Sequence, residues 1–199
     1  MAIRAVFFDV GETLVDERQY WRDVAELAGV PEHALWAALG ITIDRREDHP
    51  ELFRHLGIER PPAIDHIVYD LIDLYPDARP CLEAVRAAGY RVGLAGNQST
   101  PLEAWARSAG LPVDVIGSSA GWGVRKPSPA FFERLVAEAG FPAGEVAYVG
   151  DRLDNDVEPA AACGLVSVWI RRGPWGWLQR CEDRAALRID SLAELPEAL

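Results

Sequence analysis

Apolar residues in this chain come in short unbroken runs, separated by stretches where they recur every three or four positions. Residues 3–10, 90–95, 113–117, 146–150 and 165–170 are rich in Val, Ile and Phe without polar alternation, the pattern of strands buried on both faces. Residues 79–88, 101–109, 128–139 and 154–163 carry helical spacing. Asp77 stands where an N-cap of the first of these helices belongs, and Gly89, Gly110, Gly140 and Gly164 follow the four helix ends. Strand–helix alternation of this kind predicts an α/β fold, a Rossmann-like parallel sheet flanked by helices.

The alternation breaks after the first strand. Tyr20, Trp21, Val24 and Leu27 follow helical spacing. Pro31 opens a second helix through Leu35, Trp36 and Leu39, and Pro61-Pro62 precede a third carrying Ile64, Ile67, Val68 and Leu71. The expectation is a core made of residues 1–15 and 76–199, with a small all-helical unit, residues 16–75, inserted after the first strand.

Composition narrows the function classes. The 199 residues carry a formal net charge of −11, so a bare nucleic acid or an anionic membrane surface would repel the chain. A phosphate ligand therefore needs a local cation. Cys81, Cys163 and Cys181 are odd in number and lack CxxC spacing, which argues against a disulfide framework. No apolar run is long enough for a signal-peptide core or a membrane span, and the cytoplasm is the expected location. The pattern leaves oligomeric state open. Among 20 basic residues, 19 are Arg and one, Lys126, is Lys.

In open α/β sheets ligands bind beyond the carboxyl ends of the strands. Those ends carry Asp9, Gly96-Asn97 and Gly150-Asp151, while Lys126 lies in the loop after the third strand. Asp9, Asp151 and Asp156 form a hard-oxygen set suited to Mg²⁺ and a substrate phosphate. Without a cation between them they would repel one another. An aspartate can also act as a nucleophile, and Lys126 can hold phosphoryl oxygens as a point charge. Phosphoryl transfer depends mostly on such positioning and charge neutralisation.

Four segments in this order, FFDVGETL at 7–14, GN at 96–97, VRKPSPAF at 124–131 and GDRLDND at 150–156, resemble the motifs of the haloacid dehalogenase-like hydrolase superfamily. The resemblance implies a small phosphorylated substrate, Asp9 as nucleophile and Lys126 as its stabilising partner. It also implies a Mg²⁺ site made by Asp9, the backbone carbonyl of Gly11 and Asp151, with Asp156 close by. Thr13, Gly96 and Asn97 would meet the substrate phosphate, and residues 16–75 look like a short helical cap. Two departures stand out. The family's phosphatases place an acid at position 11, which is glycine here, and the usual hydroxyl of the second motif is replaced by Gly96. Glu12, one residue further on, should leave the turn in another direction.

Three readings survive: a Mg²⁺-dependent phosphatase lacking its usual general acid, an impaired phosphate- or partner-binding protein, and a 2-haloacid dehalogenase. The dehalogenase reading fits the Gly150–Asp156 segment poorly. A phosphonate hydrolase needs a cap lysine, and residues 16–75 have none. His33, His49, His55 and His66 lack metal-ligand spacing and read as solvated or core residues. GPWGW at 173–177 reads as an aromatic segment packed against a loop.

Overall fold

The computed structural model describes residues 2–180 and 185–199; Cys181 lies outside them. Six strands, β1 (Ala5–Phe8), β2 (Arg91–Gly96), β3 (Val115–Ser118), β4 (Val146–Gly150), β5 (Val166–Ile170) and β6 (Leu187–Ile189), form one sheet. Their order is β3-β2-β1-β4-β5-β6, and every pairing is parallel. β1 is central because both its faces are apolar. Val6 and Phe8 enter one core cluster, and Ala5 and Phe7 enter another on the opposite side. Phe8 pairs with Leu94 on one flank and Val149 on the other. The Asp9 amide donates to the Val149 carbonyl at 2.9 Å. That last ladder bond fixes where the first carboxylate leaves the sheet.

The helices are α1 (Arg18–Ala28), α2 (Glu32–Asp44), α3 (Glu51–His55), α4 (Ala78–Ala87), α5 (Thr100–Ser108), α6 (Ser119–Trp122), α7 (Pro129–Ala139), α8 (Glu158–Ala162), α9 (Gly173–Leu178) and α10 (Leu195–Ala198). α1–α3 belong to the insertion between β1 and β2. They share a third apolar cluster built on Trp21, Val24, Leu35, Leu39, Phe53 and Ile64. Trp175 of α9 also enters that cluster, so the GPWGW segment packs against the insertion. Asp48 and Arg46 of the insertion pair with Arg125 and Glu158 of the sheet domain, each at 2.9 Å.

Several expectations need correction. The third inserted helix does not form. Residues 62–74 break into short 3₁₀ turns at Pro62–His66 and Leu71–Asp73, with extended backbone at Ile67, Asp70 and Leu74. Ile64 and Ile67 reach the third apolar cluster, but Val68, Leu71 and Ile72 stay exposed, so the later part of the expected helix has no continuous core to face. Asp77 occupies the N-cap position of α4 as expected, but its side chain makes no capping hydrogen bond. Its carboxylate instead accepts from Arg172, from the Ser191 hydroxyl at 2.7 Å and from the Leu192 amide at 3.0 Å. The helix expected at 154–163 is a wide π turn, Leu153–Val157, followed by the short α8. β6, α3 and α9 are additional elements. Among the described residues no helix is long and apolar enough to cross a membrane.

Candidate active site

The carboxyl ends of β1, β2 and β4 and the loop before α7 converge beneath the inserted helices. Between the two layers lies a cavity of about 580 Å³. Its floor holds Asp9, Gly11, Asn97, Lys126 and Asp151, and its roof includes Tyr20, Trp21, His49, Phe53 and Trp175.

Lys126, 1% exposed, has its ammonium 2.8 Å from Asp9 Oδ1 and 2.6 Å from Asp156 Oδ1. Burial opposes its charge, but Asp156 and Asp9 more than offset that and raise its pKa above the ordinary value. Asn97 sets the backbone that carries it. The Asn97 amide donates to the Lys126 carbonyl at 3.0 Å, and its Oδ1 accepts from the Lys126 amide at 2.8 Å. The wide turn after β4 returns Asp156 toward Lys126, and Asp156 Oδ2 accepts from the Arg152 amide at 3.0 Å. Both oxygens of Asp156 are thus engaged. Burial, offset in part by Lys126, pushes its carboxyl up to about 6.

Asp9, Asp151 and Asp156 each present an oxygen within 4.8 Å of the others. Asp151 is 2% exposed, and its Oδ2 has no hydrogen-bond partner. Burial first, then Asp156 and Asp9, drive its pKa well above the usual carboxylate range. A buried, unpartnered carboxylate oxygen facing two further carboxylates is an uncompensated arrangement. An all-oxygen donor set of this kind fits a hard divalent cation.

The structure places the two glycine departures within this geometry. Gly11 does not have a positive φ. A Cβ built on it would instead overlap Glu17, falling on Oε1, 2.7 Å from Cδ and 3.2 Å from Oε2. Gly96 is pressed against the first carboxylate, since a Cβ there would lie 2.5 Å from Asp9 Oδ1. A β-hydroxyl residue at 96 has no room while Asp9 holds this position.

Asp9, Gly11, Asn97, Lys126 and Asp151 meet at the cavity, with Asp156 directly beneath. Thr13 is fully buried outside the cavity wall, its hydroxyl unpartnered and its carbonyl accepting from Arg172 at 3.0 Å. Gly96 is likewise absent from the wall. Glu12 adopts φ 52° and sends its carboxylate to the Tyr75 hydroxyl at 2.7 Å, alongside Gly173. Burial raises it to about 7. Glu17 is the residue sequence reasoning missed. It precedes α1, its Oε1 accepts from the Tyr69 hydroxyl, and burial, reinforced by Glu12, raises it to about 8. A lone glutamate before a helix carries no sequence signal, and Tyr69 lies 52 residues away. His49 lies half-buried between Trp21 and Trp175, and loss of water around its ring holds it well below 6.5. His55 pairs with Glu47 at 2.6 Å.

This parallel order, with a carboxylate–lysine cluster beyond the carboxyl ends of the strands, defines an α/β protein with its candidate site at the usual edge of an open sheet. A family model described as haloacid dehalogenase-like hydrolase matches residues 3–164, and the chain belongs to that family. It is 28% identical over 202 residues to a glyceraldehyde 3-phosphate phosphatase of Methanopyrus kandleri, covering 87% of this chain and 86% of the relative. Among solved structures it resembles a HAD phosphatase from Thermococcus onnurineus, with TM-score 0.67, 23% identity and 98% and 97% of the two chains covered. It also resembles the L-2-haloacid dehalogenase RSc1362, with TM-score 0.73, 18% identity and 100% and 99% covered. The same fold thus serves both chemistries, and the choice between them rests on the site.

Proposed function

We propose that this hydrolase is a Mg²⁺-dependent phosphatase of small phosphorylated metabolites, acting through an aspartyl-phosphate on Asp9. The observation that carries this reading is the buried Asp9–Asp151–Asp156 cluster around Lys126, with one Asp151 oxygen lacking any partner. A dehalogenase has no need of such a set, whereas a cation-dependent phosphatase does.

Asp9, the Gly11 carbonyl and Asp151 would hold the ion, with Asp156 close by. When bound, it supplies positive charge that neutralises phosphoryl oxygens. The chain's own residues do the rest. Lys126 grips Asp9 Oδ1, so the nucleophile is held in one orientation, and its ammonium remains available to a phosphoryl oxygen. Asp156 anchors Lys126 from below. Asn97 acts on substrate through the Lys126 loop, and Gly96 leaves room for Asp9. Residues 16–75 serve as the cap, shutting water out of the cavity through the aromatic roof.

The name of the Methanopyrus relative puts glyceraldehyde 3-phosphate and other short phosphorylated aldehydes and sugars first in a substrate panel. The test is release of inorganic phosphate from that panel with Mg²⁺ and with EDTA. Release that requires Mg²⁺ supports the reading. Halide release from 2-haloacids in EDTA would replace it with a dehalogenase, and no turnover with either class would leave a binding protein.

A further inference from the structure

The acid that the resemblance implies at position 11 has no side chain to sit on, yet its place is not empty. The three atoms nearest to a Cβ built on Gly11 all belong to the Glu17 carboxyl group, and no other residue crowds that position as closely. Glu17 lines the same cavity as Asp9, Lys126 and Asp151. We propose that Glu17 is the general acid and base of this site, delivered from the start of α1 into the volume that a side chain at position 11 would fill. This inference rests on the phosphatase reading above.

Three observations favour Glu17 over its neighbours. Glu12, the adjacent carboxylate, also lines the cavity, but it leaves the turn at positive φ, with Oε2 held by the Tyr75 hydroxyl and its side chain packed alongside Gly173. Asp151 and Asp156 belong to the cation and lysine cluster. Glu17 has Oε1 fixed by the Tyr69 hydroxyl and its carboxyl fills the volume at Gly11, which leaves Oε2 to exchange a proton there. The charged and titratable groups facing it are Glu12, Asp9, Tyr69 and Tyr20. Gly11 is then explained: any side chain there would evict the acid.

The steps balance. As an Asp9 carboxylate oxygen bonds to phosphorus, the bond from phosphorus to the leaving oxygen breaks. The Glu17 carboxyl gives that oxygen its proton, and an alcohol departs. Water then bonds to phosphorus while the Asp9–phosphorus bond breaks. Glu17 takes the water proton, which restores both side chains and releases phosphate.

The test compares wild type, Glu17→Gln, Glu17→Ala and the double variant Gly11→Asp/Glu17→Ala on an alkyl phosphate and on 2,4-dinitrophenyl phosphate, with Mg²⁺. Glu17→Gln should lose about 10²–10⁴-fold on the alkyl phosphate. With the dinitrophenyl ester, whose leaving group needs no proton, it should release a rapid burst of one phenolate per site and then stall. The phosphoryl adduct on Asp9 should be visible by mass spectrometry. The double variant, which clears the clash and restores a carboxyl nearby, should recover at least about tenfold over Glu17→Ala, a part of the roughly 10²–10⁴-fold that a well-positioned acid contributes. Equal activity of Glu17→Gln and wild type on the alkyl phosphate overturns the inference. So does an equal loss on both esters with no burst and no recovery in the double variant. Failure of wild type itself on both esters overturns the phosphatase reading, and this inference with it.

Discussion

Asp9 and Lys126 share a bond that neither a smaller nor a wider partner can reproduce. Asp9→Asn keeps the shape but removes the nucleophile, and turnover of any phosphate ester should fall below a few per cent of wild type while the melting curve stays cooperative. Lys126→Arg is the more telling change in a chain that otherwise writes its long cations as Arg. The ammonium sits between two carboxylates at 2.8 and 2.6 Å in a 1%-exposed position, and a planar guanidinium is too wide for that gap. Steady-state assays should show near-complete loss, and normal activity would show that the lysine is dispensable. Lys126→Met, which leaves Asp9 and Asp156 without their cation, should cost about 3–5 kcal/mol in denaturant unfolding of the metal-free protein. Lys126 and the strand-end aspartates were legible in the sequence because residue type and strand ends both point to them. Glu17 was not, because what defines it is a void at Gly11 and a hydroxyl at Tyr69, and neither leaves a local pattern.

Periodicity reads elements well where a buried face enforces it and poorly where none exists. β1, β2, β4 and β5 fall where the apolar runs place them, because each is packed on both sides and slipping by one residue would exchange its two faces. The 62–74 segment is also rich in apolar residues but forms the end of the insertion with much of it exposed, so local turn chemistry at Pro61-Pro62 and Asp70 decides its shape. α9 is the converse case, too short for periodicity to register, yet it seats the insertion on the sheet domain. Trp175 is 2% exposed, with ring contacts to Trp21 and His49 at 6.2 and 4.7 Å. Trp175→Ala should lower stability by about 3–5 kcal/mol, as for other buried aromatics truncated to alanine. Trp177, two residues on, is 66% exposed and rests under Arg171 at 4.4 Å. Trp177→Ala should cost less than about 1 kcal/mol. Comparable losses in the two variants would place the anchor elsewhere in α9.

Five carboxylates, Asp9, Glu12, Glu17, Asp151 and Asp156, gather at one end of a molecule that already carries a net charge of −11. The fold can tolerate them by retaining protons or by holding a cation, and the two solutions compete. Burial first, then neighbouring charge, raises Glu17 to about 8 and Glu12 to about 7 from the usual 4.5. In the unfolded chain both ionise near 4.5, so above that pH the native state binds more protons. Their contribution to stability is full at low pH and is lost as pH rises through the folded values. His49 works the other way: loss of water around its ring holds it neutral while the unfolded chain takes up a proton below about 6.5. Its effect has ended by about pH 7, so the clean window runs from about pH 7 to about pH 9. In EDTA, the melting temperature should fall across that window, and Glu17→Gln should flatten the slope. Because Mg²⁺ needs deprotonated ligands, its stabilisation should be larger at the alkaline end of the window than below it. A scan in which the metal-free protein melts at the same temperature from pH 7 to pH 9, with Mg²⁺ adding nothing at either end, would mean that these carboxylates carry neither proton nor cation.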